Sequence, residues 1–498
     1  MKKKILALLL LAVFALSLVA CGPTPSTDTS TNSGNTNTAE KVYWEVPPEG
    51  FDTDAEITIT FSHTMGQSLR NVLDLYIEKF NEIYPNITID HSQIGGYDEV
   101  RDQTNKQLTA GNQPNIAYCY PDHVALYNVT KKVIPLDNLI DCTIEIEGMD
   151  GEIIGLTAEQ KADFIQAYYN EGAVFDAAGT MYTMPLSKST EVLFYNKTFF
   201  EANNISVPTT WNEMEAVCEQ IKGILKADSN SANDSDIPLG YDSESNWFIT
   251  MTEQYGSPYT SNDRNDHFLF NNKTNREFVK EFRAWYQAGY VTTQELYGAY
   301  TSQLFTNTDP TKPSCYMCIG STGGASHQIP VGEDDVFPFE VGVAPIPQVN
   351  PEAPKAISQG PSLCIFSQTG DNDTYDNKQE VLASWLFVKY LCTTPEFQAA
   401  FSKTSGYMPV INSAKEVKSY ANWLKNADGE GNLVATVINL AFDQSEAAFV
   451  SPAFNGSTKA RDQVGALIQY CFTQKTDDVD AMILDAFKGA IEECLYNN

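Results

Sequence analysis

Along 57–61 the residues Ile57, Thr58, Ile59, Thr60 and Phe61 alternate apolar and polar, the period of a half-buried strand. Ser62-His63-Thr64-Met65-Gly66 reads as a polar loop, and Leu69, Val72, Leu73, Tyr76, Phe80 and Ile83 then recur at helical spacing. A short strand is expected over 86–90, a break at Gly95-Gly96-Tyr97, and a helix over 98–110 closed by Gly111. A third strand over 116–120 ends in Pro121-Asp122-His123. Strand and helix alternating in this way call for a parallel sheet with right-handed crossovers. Ligands of such sheets sit beyond the carboxyl ends of the strands, which puts 62–64, Tyr97 and 120–122 on one rim.

The centre of the pattern is MYTMPLSKSTEVLFYNK, residues 181–197. Its polar turn, Leu186-Ser187-Lys188-Ser189-Thr190, is clamped between Met184-Pro185 and an apolar run over 192–195, so the segment reads as a crossing between two bodies. Beyond it, Thr210 and Glu213 make a capping box for a helix carrying Met214, Val217, Ile221 and Leu225. Residues 228–236 are a polar loop, Asn246-Trp247-Phe248 starts another apolar segment, and 276–290 is an amphipathic helix whose stripe assigns Trp285 to the core. A buried strand over 315–319 delivers the small, hydroxyl-rich turn Gly320-Ser321-Thr322-Gly323-Gly324-Ala325-Ser326. The segments 341–347 and 357–363 read as the approach to a second crossing and the crossing itself. A strongly apolar helix over 381–392, a helix opened by Pro395, the turn Ser405-Gly406-Tyr407-Met408-Pro409 and a helical stretch over 432–495 complete the chain.

Composition adds three constraints. A chain of 498 residues is too long for one ordinary core, so two lobes are expected. The net charge of −32 argues against nucleic acid as a partner, because a polyanion is repelled. At the start, Lys2-Lys3-Lys4, an uncharged apolar run over 5–20 and Leu18-Val19-Ala20-Cys21 form an export signal, shorter than a spanning helix needs. The stretch 22–41 is nearly all Thr, Ser, Asn, Pro and Gly and reads as a flexible tether. The ten cysteines are irregularly spaced and are expected mainly as buried small apolar residues, with a Cys315–Cys318 bridge left open. Neither G-x-S-x-G nor H-E-x-x-H occurs, and no carboxylate pair stands out by spacing, so no catalytic residue, metal or cofactor is expected.

Taken in order, the Phe61 to Met65 strand end, the Pro185 to Lys197 crossing with Tyr195-Asn196-Lys197, the Gly320 to Ala325 turn, the segment 357–366 and the turn 404–409 resemble the family 1 extracellular solute-binding proteins of ABC importers. The resemblance runs from about residue 56 to the C-terminal helices. It implies an α/β, two-lobed periplasmic-binding-protein-like fold of type II, each lobe a mostly parallel sheet flanked by helices, with a cleft at the crossings. It also implies a signal peptide over 1–20, a lipid-anchored tether over 21–54, a first lobe over 55–188 and 360–410, and a second over 189–359 and 411–498. The Leu-Val-Ala-Cys ending resembles a lipobox, so Cys21 would carry the lipid and hold a monomer at the extracellular face of the membrane, where its partner is the permease.

Pocket positions of the glycerol-3-phosphate and glycerophosphodiester branch of the family fall at Tyr97, Ser189, Ser321 or Thr322, Gly360 and Tyr407. Two departures weaken a phosphate ligand. Pro121 stands where that branch has an acidic residue, with Asp122 one place later, and no arginine follows Phe454 until Arg461. A buried phosphate without a cation is costly to desolvate, so an uncharged sugar or oligosaccharide is the better expectation. Sugar sites pair flat aromatic faces with polar side chains. Trp247 is the expected stacking platform, helped by Tyr97, Tyr120 and Tyr407, with His63, Asp122, Ser189, Glu191, Ser321, Thr322, Gln359 and Gly360 as polar contacts. The rival classes are an exported glycoside hydrolase and a surface lectin that does not close.

Overall fold

The computed structural model describes residues 40–227, 235–262, 266–332, 337–368, 374–427 and 432–496. The expected signal peptide, Cys21 and the tether up to residue 39 lie outside these residues, as does most of the polar loop expected over 228–236, while the described end of the expected tether, 40–54, buries Trp44 and Phe51 in the first core.

The strands in chain order are β1 (Ile57–His63), β2 (Ile87–Gln93), β3 (Ile116–Cys119), β4 (Met184–Pro185), β5 (Glu191–Asn196), β6 (Ile237–Tyr241), β7 (Val291–Thr293), β8 (Cys315–Ser321), β9 (Val341–Pro345), β10 (Ala356–Ile357), β11 (Ser362–Ile365) and β12 (Ala448–Phe449). They form two five-stranded sheets, β2-β1-β3-β11-β4 and β7-β6-β8-β5-β9, and a small pair, β10-β12. The expected parallel start is present: β1 pairs in parallel with both β2 and β3, through the helices Gln67–Ile83 and Tyr97–Ala110. Each sheet is mixed but mostly parallel, with a single reversed strand, β11 in the first and β5 in the second. Every antiparallel pairing in the two sheets involves β4, β5 or β11, the strands that carry the chain into or out of a crossing. A strand arriving from the other lobe enters its sheet from the opposite end, so its direction is reversed.

Each sheet has its own apolar core. In the first, Ile59, Phe61, Phe80, Trp385 and Phe387 are buried under the helix Tyr375–Thr393. In the second, Trp211, Trp247, Phe282 and Trp285 pack together among the helices Trp211–Ala227, Glu244–Gln254 and Lys273–Gln287. The capping box forms as expected: Glu213 N–H donates to Thr210 Oγ1 and Thr210 N–H to Glu213 Oε2, at 3.2 and 3.1 Å. The helix Leu433–Gln444 joins the two bodies, burying Ala441 in the first core and Val437 beside Val192 and Phe194 of β5.

Trp247 was expected in the cleft, but the structure places it inside the second core. It is fully buried, with ring centroids 4.2 Å from Phe282 and 4.9 Å from Tyr241. One turn of the helix Glu244–Gln254 sends Asn246 to the cavity side and Trp247 to the core side. The nine described cysteines are free and buried. Cys315 and Cys318 form no bridge, since residues three apart on one strand point to opposite faces.

The two crossings are hydrogen-bonded to each other and to the turn after the helix Pro395–Ser405. Ser189 and Gln359 exchange backbone bonds at 2.8 and 2.9 Å, and Lys188 exchanges a pair with Met408. Gly360 has φ +101°, and a Cβ there would lie 2.5 Å from Ser187 O and 2.8 Å from Lys188 Cα, so only glycine lets the crossings approach. Beneath them Lys188, fully buried, pairs with Glu171, itself 4% exposed. The same ammonium reaches Ser362 Oγ at 3.3 Å and Gly360 O at 3.5 Å, while Ser358 Oγ donates to the other oxygen of Glu171.

Two outcomes are expected in urea unfolding. Lys188→Met alone should cost about 3–5 kcal/mol by stranding the Glu171 carboxylate, and adding Glu171→Leu should recover most of that loss; a double mutant no better than the single would show that the pair is not a unit. Trp247→Ala should lower stability by about 3–5 kcal/mol through loss of core packing, and a variant as stable as the parent would place the ring outside the core.

Candidate functional site

A cavity of about 1160 Å³ opens between the two sheets. The first lobe contributes Tyr97 and Tyr120, the crossings contribute Ser189 and Gln359, and Tyr407 enters from the turn after the helix Pro395–Ser405. The second lobe supplies Glu191, Asp242, Asn246, Tyr300, Ser321 and Gln328.

Local structure holds these side chains in place. Tyr97 is the first residue of the helix Tyr97–Ala110, whose start is tied by a 2.9 Å bond from Gly96 N–H to Glu99 Oε2. Its ring stacks on Tyr120 with centroids 4.8 Å apart, and its hydroxyl lies 3.2 Å from that of Tyr407. Tyr407 follows the left-handed C-cap Gly406 and rests over Gly323, where a Cβ would lie 2.7 Å from the ring. Burial pushes all three phenols up, so they act as neutral hydroxyls at ordinary pH.

Glu191 opens β5 at the cavity floor, opposite Ser321 of β8. Tyr241 OH donates to its Oε2 at 2.7 Å and Asn246 Nδ2 to its Oε1 at 3.0 Å. Burial raises its pKa to about 7 against these two bonds, with the neighbouring Asp242 raising it further and Arg461 lowering it. Asp242 Oδ1 accepts from Thr301 N–H and Oγ1, both at 2.7 Å, and Glu244 Oε1 accepts from Glu295 N–H at 3.1 Å. Burial pushes both of these carboxyls up as well. Seven carboxylates line the cavity: Asp98, Glu99, Glu191, Asp242, Glu244, Glu295 and Asp462. No Lys or Arg does so among the described residues.

Of the residues expected from sequence, Tyr97, Tyr120, Ser189, Glu191, Ser321, Gln359 and Tyr407 come together on this cavity. Asp122 and Gly360 line a smaller chamber of about 80 Å³ behind the crossings, which shares Tyr120 and Gln359 with the large one. There Asp122 meets the other lobe, accepting from Thr458 Oγ1 at 3.3 Å with Arg461 Nε 4.0 Å away.

Three expected contacts are displaced. Trp247 is in the core, as described above. His63 lies in β1 and not in a loop, fully buried, and is not among the residues lining the cavity. Its Nδ1 accepts from Met65 N–H at 3.1 Å, which leaves the proton on Nε2 for His91 Nδ1 at 2.9 Å. Burial, with His91 and Arg70, lowers its pKa to about 3. Thr322 faces the crossing instead, its Oγ1 accepting from Thr190 N–H at 3.2 Å.

Asp242, Asn246, Tyr300 and Gln328 were not anticipated. The signal for Asp242 was its place just past the end of β6, but Pro238 and Gly240 hid that strand.

Glu191 generates a pH test. Its pKa is near 7 folded against 4.5 for an ordinary glutamate, so the folded chain holds an extra proton between those values. Stability from this group is therefore greatest below pH 4.5 and falls by roughly 3 kcal/mol as pH rises towards 7. Glu191→Gln should lack that slope, so the difference between parent and variant unfolding free energies should change by roughly 3 kcal/mol across the window; parallel curves would reject the assignment.

Comparison with known proteins supplies the context. A family model described as bacterial extracellular solute-binding protein matches residues 76–427. The sn-glycerol-3-phosphate-binding periplasmic protein UgpB of Shigella flexneri is 23% identical over 78% of this chain and 82% of its own length, and that of Escherichia coli K12 is 22% identical over the same shares. Among solved structures, UgpB of Mycobacterium tuberculosis, in complex with glycerophosphocholine, superposes with a TM-score of 0.66 at 16% identity, covering 88% of this chain and 98% of its own. The GacH receptor of Streptomyces glaucescens, studied with acarbose, gives 0.63 at 16% identity, covering 88% and 99%. A Listeria monocytogenes ABC substrate-binding protein in complex with cycloalternan gives 0.66 at 15% identity, covering 88% and 98%. With two mixed α/β lobes around a large polar cleft and a family match over most of its length, the chain is a bacterial extracellular solute-binding protein, the substrate-binding component of an ABC importer.

Proposed function

We propose that the ligand captured in the inter-lobe cleft is a sugar or oligosaccharide, delivered to a membrane permease without being chemically altered. The observation that carries this reading is the lining of the cavity: tyrosines and carboxylates, with no Lys or Arg among the described residues. Sugar rings offer apolar faces to aromatic rings and hydroxyl protons to carboxylates. A phosphate offers neither and would face seven acidic groups. The volume, about 1160 Å³, exceeds the roughly 300–1,000 Å³ of ordinary small-molecule sites and leaves room for more than one ring.

On this reading Tyr97, Tyr120 and Tyr407 form the aromatic surface, while Ser189, Glu191, Ser321 and Gln359 bind hydroxyls. The lobes divide at 188–189 and 359–360. The chain acts as a monomer held at the extracellular face of the membrane by a lipid on Cys21. The second reading, a glycerophosphodiester ligand, is favoured by what the curated relatives and the Mycobacterium tuberculosis structure bind. Against it stands the engagement of the cations beside the cleft: Arg461 Nη1 already donates to Asn246 Oδ1 at 2.6 Å and Lys188 is paired with Glu171, and both border the smaller chamber.

A thermal-shift screen over mono-, di- and oligosaccharides and glycerol phosphates decides between the two. A glycan at 100 times its dissociation constant should stabilise the chain by about 2.7 kcal/mol, and Tyr97→Ala should abolish the shift. A shift given by glycerol phosphates alone would establish the second reading.

A further inference from the structure

The acidic floor of the cleft asks for more than hydroxyl groups. Glu191, Asp242 and Glu244 gather where β5 starts and β6 ends, and each is held by neutral donors: a phenol, an amide, a threonine and a backbone N–H. These bonds orient the carboxylates without bringing an opposite charge to them. Among the described residues Arg461 is the cation bonded to this network, which it reaches indirectly through Asn246, and it stands opposite Asp122.

A second observation comes from Gln328. It is 2% exposed and lines the same cavity, yet its Oε1 has no hydrogen-bond partner among the described residues. Gly320 brings it to the carboxylates: a Cβ there would lie 2.7 Å from Asp242 Oδ2 and 3.2 Å from Gln328 Nε2. The floor thus presents a surplus of acceptors. A hydroxyl donates one proton and needs a donor in return, whereas an ammonium donates three and accepts none. The tyrosines of the opposite wall add the attraction of aromatic rings for a cation.

We propose that the ligand carries a cationic group, a protonated amine or a quaternary ammonium, and that Glu191, Asp242 and Gln328 form its subsite. This deepens the reading of the cleft as a glycan site and rests on it only in part, since the same subsite would take the cation of a choline-bearing diester. It also accounts for three buried carboxyls kept close together without a neutralising partner. Glu191 is faced by Tyr241 and Asp242 from β6 and its following turn, by Asn246 from the helix Glu244–Gln254, and by Arg461 from the helix Ser457–Thr473. A bound cation would therefore favour its ionised form, and affinity for a quaternary ammonium probe, whose own charge does not titrate, should rise as pH increases from 6 to 8.

Calorimetric titration of the whole mature chain tests this with matched pairs: a glucosamine tetramer against its N-acetylated and plain glucose counterparts, and glycerophosphocholine against glycerol 3-phosphate. The expected result is that a cationic member binds at least about tenfold more tightly than its uncharged or anionic match, a margin of roughly 1.4 kcal/mol. Glu191→Gln and, independently, Asp242→Asn should each cut that preference, read as the ratio of cationic to neutral affinity, about fivefold. Tighter or equal binding of the neutral tetramers would overturn the cationic subsite and leave the glycan reading intact. Preference for glycerophosphocholine with no glycan bound would support the subsite and remove the glycan reading. Equal binding of glycerol 3-phosphate and glycerophosphocholine, no binding of any cationic probe, or variants that weaken neutral and cationic probes alike would each overturn the proposal.

Discussion

The lobes are joined where Lys188 and Glu171 meet, out of reach of water. Bringing two charges into the interior costs several kcal/mol per ion, and the return depends on geometry and on satisfying every remaining proton and lone pair. Both conditions are met here: the ammonium has Glu171, Ser362 and the Gly360 carbonyl, and the carboxylate has Lys188 and Ser358. An apolar pair of similar volume could fill the space. It could not fix one crossing against the other, because dispersion is indifferent to a slip along the strand. The ion pair ties three separate stretches, at 171, 188 and 358–362, to one registry.

The registry matters because both crossings continue directly into the cleft. One residue beyond Lys188 is Ser189, and two further is Glu191; one residue before Gly360 is Gln359. A junction this closely packed keeps the polar groups at the floor at a fixed spacing. A ligand touching Tyr97 on one side and Glu191 on the other then gains contacts only when the lobes are together, which is the condition for binding to favour the closed state. The 2.8 Å and 2.9 Å bonds between Ser189 and Gln359 hold the two crossings together at the cavity floor.

Much of this frame was legible from hydrophobic period alone. The opening strand-helix alternation, the capping box at Thr210 and the crossing at 185–191 all follow from local rules, and local structure obeys them. What local rules could not supply was direction and depth. Nothing in the composition of β11 says that it runs against β3; that follows from the side by which the chain re-enters. His63 looked like a loop residue because the alternation 57–61 ends before it, whereas pairing with β2 extends the strand to that position. Gln328 ends the short 3-10 helix Thr322–Gln328 and Tyr300 lies in an irregular stretch, neither with a periodic signal, and only the packing of β8 against β5 and β6 brings their neighbourhood to the cleft.

Trp247 and Glu191 show why residue type is a poor guide to such a site. An indole is the best stacking surface among side chains, but it is also the largest apolar group, and a helix packed between sheet and neighbouring helices claims it for the interior. A buried glutamate looks like a structural liability, yet Tyr241 and Asn246 hold it where the cavity begins, so the burial that raises its pKa also gives a cationic group something to neutralise. The overall charge of −32 does not decide this matter, because charges beyond about 10 Å are screened by salt. The few carboxylates within contact range decide it, and those were positioned by β5 and β6 rather than by any motif that the linear sequence displays.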